Sequence, residues 1–590
     1  MIATTTDTYP FGAADLYCNL EKNMERKELF VTDLTQAFNP SEAISIDKVD
    51  NEKWNVTEYE TTEYSGKLIY SSYGLRPENI SYDPGLTGWY KIYVTLPEYP
   101  RNYAYIRLSS DITCVFVTTI YGRPNLHEEQ FWRCADMTGE SIILTKQHTM
   151  RYAYSALSAL RFVPMTDEEV EAYKADRART DRRKMYLHED MGHYGWNADE
   201  CTYDEWRSAV TVFGNADTAW VSTEFFGRPD LERFSAVVEE AHALGMKISM
   251  ANRMGLWGAG FPYHLKCQGM EFADEHPELH CVDRDGTVLS ALSYAFPEVR
   301  KQRIDEFVIA AGHGADAVNI LANRGCPYVV LEKPVADRFY EKYGEYPYEY
   351  PLDDPRSIET RCEFIEEYLR ELRAALDENF GKNKVEIHVW GFNSIEDFAM
   401  IGFDVYKLAK EGLINCIETH TRRFRENVPP EILRDDDPTK IDMEKYKVFI
   451  KDKDHNKSAF LEYDEACYSQ YTNSKGEPVD PVDFADNVRR WKKFSDETGM
   501  PVYHEMRHFF DTAEKAQPYL KEFYENGGEY VAMFNAAQVA HTPAVWDYVG
   551  KCGHKDEFMG FELYPHGHKT LRVLKVNGIS TGKRFNPGWN

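Results

Sequence analysis

The sequence predicts an α/β protein, a (β/α)8 TIM barrel carrying an N-terminal β-sandwich and a short C-terminal β segment. Three observations predict it. From Lys184 onward, strand-like and helix-like runs alternate, and the alternation repeats eight times. Ahead of it, residues 1–165 hold only short β-type runs broken by turn formers. Near the end, Thr570–Val576 reads as a strand again.

The first segment is expected to be a sandwich because Trp89–Leu96, Tyr103–Leu108 and Cys114–Ile120 are aromatic and β-branched runs between turn residues. Thr166-Asp-Glu-Glu169 has the form of a capping box and opens a charged helical stretch, so 166–183 reads as a linker. The barrel is expected over 184–555. Its strand candidates are Met185–Asp190, Ala219–Glu224, Lys247–Asn252, Ala317–Leu321, Val385–Trp390, Ile414–Glu418, Pro501–Glu505 and Tyr530–Phe534. Between them, Pro229–Leu244 places Leu231, Phe234, Val238 and Ala241 on one helical face before Gly245. Ser357–Phe380 does the same with Ile365, Leu369, Leu372 and Leu376 before Gly381. A doubly wound sheet has no reason to stop at eight strands. Two insertions are expected at the mouth: Gly255–Ser293, with a hairpin at Asp283-Arg-Asp-Gly286, and Thr421–Pro481. The run Ser458–Tyr463 in the second is either an insertion strand or a barrel strand. Residues 556–590 are expected to return to the sandwich or form a cap.

Composition narrows the partners. The 590 residues carry a net charge of −29, which repels nucleic acid and anionic membranes. The N-terminus, Met-Ile-Ala-Thr-Thr-Thr-Asp-Thr-Tyr-Pro, lacks a basic region and an apolar run, and eleven cysteines are scattered without a C-x-x-C. A cytoplasmic protein with reduced thiols and no cofactor is the expectation; a homo-oligomer is left open. Aromatic residues make up 14%, which suits sugar stacking as well as core filling.

Val502-Tyr-His-Glu-Met-Arg-His-Phe-Phe510 contains the H-E-x-x-H pattern of zinc hydrolases. That pattern grips zinc only on a helix, where histidines four apart share a face. Here a strand precedes it and the next helix start, Asp511-Thr-Ala-Glu514, follows it, so no metal site is expected.

In such barrels chemistry sits at the C-terminal ends of the strands. Those ends carry His188, Glu189 and Asp190; Glu224; Arg253; Asn323 and Arg324; His388 and Trp390; Glu418 and His420; His504, Glu505 and Arg507; and Asn535. Glu462 joins them if its insertion folds over the site. Strand five shows its parity clearly: Val385, Ile387 and Val389 face helices, whereas Glu386, His388 and Trp390 face the axis. Glu386, at the barrel bottom, is expected to be structural.

Glycosidic bonds are cleaved between two carboxyl groups, one giving a proton and one acting as nucleophile or base. Glu505, Glu418, Asp190 and Glu224 are the candidates for catalysis, with Glu505 the ionised group and Glu418 its protonated partner. The other residues named at the mouth are expected to bind a carbohydrate, with Trp390 offering a stacking face. A metal-dependent hydrolase or sugar isomerase built on the histidines is the alternative, as is a carbohydrate-binding barrel without catalysis.

The runs Phe272-Ala-Asp-Glu-His-Pro-Glu278, Val282–Gly286, Ser293–Arg300 and Gly314–Ile320 resemble the family-10-like glycosyl hydrolases, (β/α)8 barrel proteins of polysaccharide-degrading bacteria. Phe339–Gly344, Gly402–Val405, Glu411–Leu413 and Gly553–Glu557 extend the likeness over residues 184 to 560. The resemblance implies a bacterial glycoside hydrolase. It also implies an aspartate late in strand four, in a D-G-x-x-x-D-x-x-R frame. Asp316 and Arg324 keep that frame, but Leu321 stands in the aspartate's place.

Overall fold

A computed structural model describes residues 26–71, 77–97, 103–111, 115–118, 125–146, 155–178, 184–190, 218–224, 231–255, 270–323, 325–426, 428–452, 460–463, 484–506, 513–533, 551–562 and 566–581. The first part is two mainly antiparallel sheets sharing one core. Trp54, Ile92, Val94 and Leu160 of one sheet pack in a single cluster with Ile106, Ile142 and Leu144 of the other. The larger sheet takes in the C-terminal strand, the first of the two outcomes expected for residues 556–590. The strand His568–Val576 lies between Leu126–Asp136 and Trp54–Thr61, pairing antiparallel with both. The capping box forms: Thr166 accepts from the Glu169 N–H and the Glu169 carboxylate from the Thr166 N–H, opening the helix Asp167–Arg177.

The second part is a closed parallel barrel of eight strands. In chain order they are β1 (Met185–Asp190), β2 (Thr218–Glu224), β3 (Lys247–Arg253), β4 (Ala317–Leu321), β5 (Glu386–Trp390), β6 (Cys416–Thr419), β7 (Val502–Glu505) and β8 (Tyr530–Met533). β8 pairs with β1 to close it. Among the described residues, helices follow seven of the eight strands. The segment between β1 and β2 lies outside the described residues. After β2 comes α1 (Leu231–Ala243), whose Phe234, Val237, Val238 and Ala241 are buried; Gly245, at φ +71°, ends the turn behind it. The long α2 (Pro355–Phe380), between β4 and β5, begins two residues before the expected start. Asp354 caps it by accepting the Arg356 N–H, and Pro355 fits the first turn, where no N–H is needed. Among the described residues no helix is long and apolar enough to cross a membrane.

Strand alternation sorts the barrel's side chains. Outward-facing Leu187, Val221, Ile248, Val318, Ile387, Ile417, Val502 and Val531 join the helices in the main core. Inward, the lumen is filled in layers, as small barrels require. Tyr186, Trp220, Ala317, Cys416, Tyr503 and Ala532 form an apolar layer at the bottom. A polar layer of His188, Ser222, Ser249, Asn319, His388 and Glu418, all fully buried, lies above it. Ala251, Leu321 and Trp390 pack together nearer the mouth.

Both insertions fold as separate small sheets. His280–Val282 and Val288–Leu292 make the expected hairpin, turning at Gly286, whose φ of +86° suits glycine. Phe460–Tyr463 pairs with Arg423–Glu426 in a two-stranded sheet of its own, which settles it as insertion and leaves the barrel at eight strands. A buried ion pair between Arg284 of the hairpin and Glu426 ties the two insertions together. Arg284 also donates to the Tyr350 carbonyl at 3.1 Å, and the Tyr446 hydroxyl donates to Asp283 at 2.7 Å.

Candidate functional site

The site is built from the upper ends of β6 and β7, neighbours in the barrel with Glu418 opposite Tyr503 and Thr419 opposite His504. Alternation then points Tyr503 and Glu505 at the axis, with Glu505 nearer the mouth. Glu418, fully buried, accepts from Asn319 Nδ2 through Oε1 at 2.6 Å, and its Oε2 has no hydrogen-bond partner among the described residues. Burial holds the Glu418 carboxyl well above the usual range. The negative charge of Glu505 adds to this, and the hydrogen bond from Asn319, with the Tyr186 hydroxyl close by, opposes it without prevailing. Glu505 is 6% exposed, and its Oε2 lies 3.4 Å from His420 Nδ1. Of the two carboxyl groups on these adjacent strands, Glu418 is kept neutral by its dry setting and by its neighbour.

Beneath them runs a continuous hydrogen-bonded chain. Asn319 Nδ2 also reaches the Tyr186 hydroxyl at 3.1 Å, and that hydroxyl lies 2.7 Å from Ser249 Oγ and 2.9 Å from His388 Nδ1. His388 Nε2 lies 3.1 Å from Glu386, whose other oxygen receives Lys247 at 3.0 Å. Burial lowers the His388 pKa despite Glu386, so the ring is neutral. Burial would raise Glu386, but His388 and Lys247 overcome it and hold the carboxylate down at about 2.

Several expected residues are elsewhere. His504 projects outward from β7, its ring 5.2 Å from that of Phe523 on the following helix, and burial lowers its pKa to about 3. It cannot bind at the mouth, because the strand alternation that turns Glu505 in turns His504 out. Trp390 faces the axis as expected but is fully buried. Its indole N–H donates to the Thr419 carbonyl at 3.3 Å and its ring meets His188 edge-on at 4.8 Å, so it packs the lumen and offers no face at the rim. His388 lies deeper than the mouth, within the chain just described. Leu321, in the position of the missing aspartate, packs against Trp390 and Ala251; Asp316 sits at the opposite end of β4, accepting the Ile248 N–H at 2.9 Å.

His188 lies in the polar layer, Arg253 ends β3 on the inward parity, and Asn323 is buried just past β4 with Nδ2 unpaired among the described residues. Glu189, Asp190, Glu224 and Glu462 lie in strands, with their side chains outside the described residues. Arg324, Arg507, His508 and Asn535 lie outside them altogether. Among the described residues no three metal-ligating side chains converge. Tyr186, Ser249 and Asn319 were not among the expected residues. Parity could have found them, since each stands two residues before an inward-facing position on its strand.

No family model matches the chain, and no curated protein does. Solved structures with a related outline include the PgaB (BpsB) glycoside hydrolase domain of Bordetella bronchiseptica (9% identity, 62% of this chain and 98% of that one, TM-score 0.39). An α-galactosidase from Thermus thermophilus matches at 11% identity over 85% of this chain and 94% of its own, TM-score 0.32. A malate synthase from Haloferax volcanii matches at 8% over 64% and 70%, TM-score 0.31. These likenesses are too distant to bear on the chemistry.

Proposed function

We propose that the chain is a glycoside hydrolase in which Glu418 donates a proton to the leaving oxygen and Glu505 acts as nucleophile or as base to water. The observation that carries this reading is the pair of inward-facing carboxyl groups on β6 and β7, of which Glu418 is held protonated by burial. A glycosidase needs one acid protonated near neutral pH and one ionised; burial supplies the first in Glu418, and Glu505, nearer the mouth, is assigned the second. The substrate is a neutral or weakly charged oligosaccharide, in keeping with the chain's net charge of −29. The eleven cysteines, scattered without a C-x-x-C, support a cytoplasmic setting.

The test is turnover on a broad panel of aryl glycosides and oligosaccharides. Glu505→Gln and Glu418→Gln should each lower kcat by roughly 10²–10⁴-fold with the fold retained. Near wild-type turnover in Glu505→Gln on a confirmed substrate would sink the assignment. Binding of oligosaccharides without any turnover would instead establish a non-catalytic carbohydrate-binding barrel, a reading favoured by Leu321 at the missing aspartate and by the complete burial of Glu418.

A further inference from the structure

We propose that Glu386 and His388, at the base of the barrel, are positioning residues for Glu418: they hold the Tyr186 hydroxyl hydrogen away from it and so leave the acid's own proton on Oε2. The inference rests on Glu418 being the acid of the proposed hydrolase, and it follows from the directions that the hydrogen bonds must take.

Glu386 carries a carboxylate and can only accept, so His388 Nε2, 3.1 Å away, bears the hydrogen. A neutral imidazole then has a bare Nδ1, and the Tyr186 hydroxyl at 2.9 Å must donate to it. Ser249 Oγ and Asn319 Nδ2 fill the phenol's lone pairs at 2.7 and 3.1 Å. The hydroxyl is saturated, with no hydrogen left for Glu418. Asn319's second hydrogen goes to Glu418 Oε1 at 2.6 Å, which makes that oxygen the carbonyl-like one and places the acid's proton on Oε2. Glu418 Oε2 has no partner among the described residues, as a donor awaiting a leaving group requires. The ionisable groups around Glu418 are Tyr186, Cys416, Tyr503 and Glu505; those around His388 are Glu386, Lys247 and Tyr186, with the Trp220 ring 4.5 Å away.

The prediction is remote and signed. In His388→Leu the phenol loses its acceptor and turns its hydrogen onto Glu418, stabilising the carboxylate. In Glu386→Gln, Lys247 takes the amide oxygen and the amide NH2 faces Nε2. That shifts the imidazole hydrogen to Nδ1 and releases the phenol's hydrogen in the same way. The experiment is a pH titration of the protonated-carboxyl infrared band of the full chain, assigned to Glu418 by its loss in Glu418→Gln. The band should ionise at lower pH in His388→Leu, by about one pH unit, and by less in Glu386→Gln. In a Tyr186→Phe background neither change should have any effect. If His388→Leu does not fold, Glu386→Gln, altered at a partly exposed position, decides alone. An unshifted or raised titration in Glu386→Gln, and in a His388→Leu/Ser249→Ala pair where Glu418 is the sole acceptor left to the phenol, would overturn the proposal. Where a glycoside is turned over, the alkaline limb of kcat/KM should move with the band. Absence of turnover would count against the hydrolase reading, while the infrared titration would still decide the positioning.

Discussion

His504 and Glu505, adjacent in sequence, project to opposite sides of β7: one lies against Phe523 in the helical shell, the other beside His420 at the barrel axis. A zinc-hydrolase motif read from letters alone would have joined them in one site. We therefore expect His504→Leu, which keeps volume in an apolar setting, to cost less than about 1.5 kcal/mol in a denaturant melt and to leave turnover within a few-fold of wild type. Loss of activity comparable to that of Glu505→Gln would place His504 in the site after all.

Buried neutral histidines make acid stability predictable. His504 on β7 and His127 in the sandwich both have pKa values lowered from 6.5 to about 3 by burial. Above about pH 7 neither the folded nor the unfolded state is protonated at these rings, so the full stability is present. As pH falls from 6.5 toward 3 only the unfolded chain takes up the protons, and stability should drop by up to ~1.4 kcal/mol per pH unit per histidine. Urea melts at pH 7, 6 and 5 would show the slope, and it should flatten in His504→Leu and His127→Phe.

Removing the charge of Glu505 should release part of the hold on Glu418. Glu505→Gln is expected to shift ionisation of the Glu418 carboxyl to lower pH, because the like charge that disfavours its carboxylate is gone. The shift is partial, since burial remains. An unchanged titration would mean that the two groups do not sense one another.

Trp390→Ala should act on the fold. The side chain is fully buried against Leu321, Ala251 and His188, so truncation opens a cavity in the lumen and should cost about 3–5 kcal/mol. Weakened sugar binding with unchanged stability would restore the stacking role expected from the sequence.

The ion pair joining the two insertions is sealed from water, with side-chain exposures of 0% for Arg284 and 3% for Glu426. Glu426→Gln strands a buried guanidinium and should destabilise by about 3–5 kcal/mol, whereas an apolar replacement of both residues should recover much of the loss. A double-mutant cycle measured by chemical denaturation distinguishes the two.

The barrel was legible because each of its strands is a short apolar run followed by helical periodicity, a local pattern that eight repeats make hard to mistake. The inner wall was legible only where alternation was clean. In β5 valine and isoleucine mark the outer face without ambiguity. In β7 a histidine faces the helices and a tyrosine faces the axis, so polarity gives the wrong side. Asn319 and Tyr186 were missed because they stand below the strand ends, and only a closed barrel shows that β1 and β4 bring them to Glu418. The link between Arg284 and Glu426 spans 142 residues and leaves no local trace.

The strand His568–Val576 occupies the middle of a sheet whose other strands, apart from the short Ile579–Ser580 paired to it, all precede residue 165. At roughly 5–20 residues per second, a ribosome needs on the order of 20–80 s between finishing the last of those strands and releasing this one. Throughout that interval the nascent sheet is split, with Leu126–Asp136 and Trp54–Thr61 exposing raw edges to any other chain nearby. The barrel is synthesised in full while its neighbour waits. Order of manufacture is thus the reverse of order of completion: the half made first is the half finished last, and a chain cut short by even this one strand would leave the factory with an open seam.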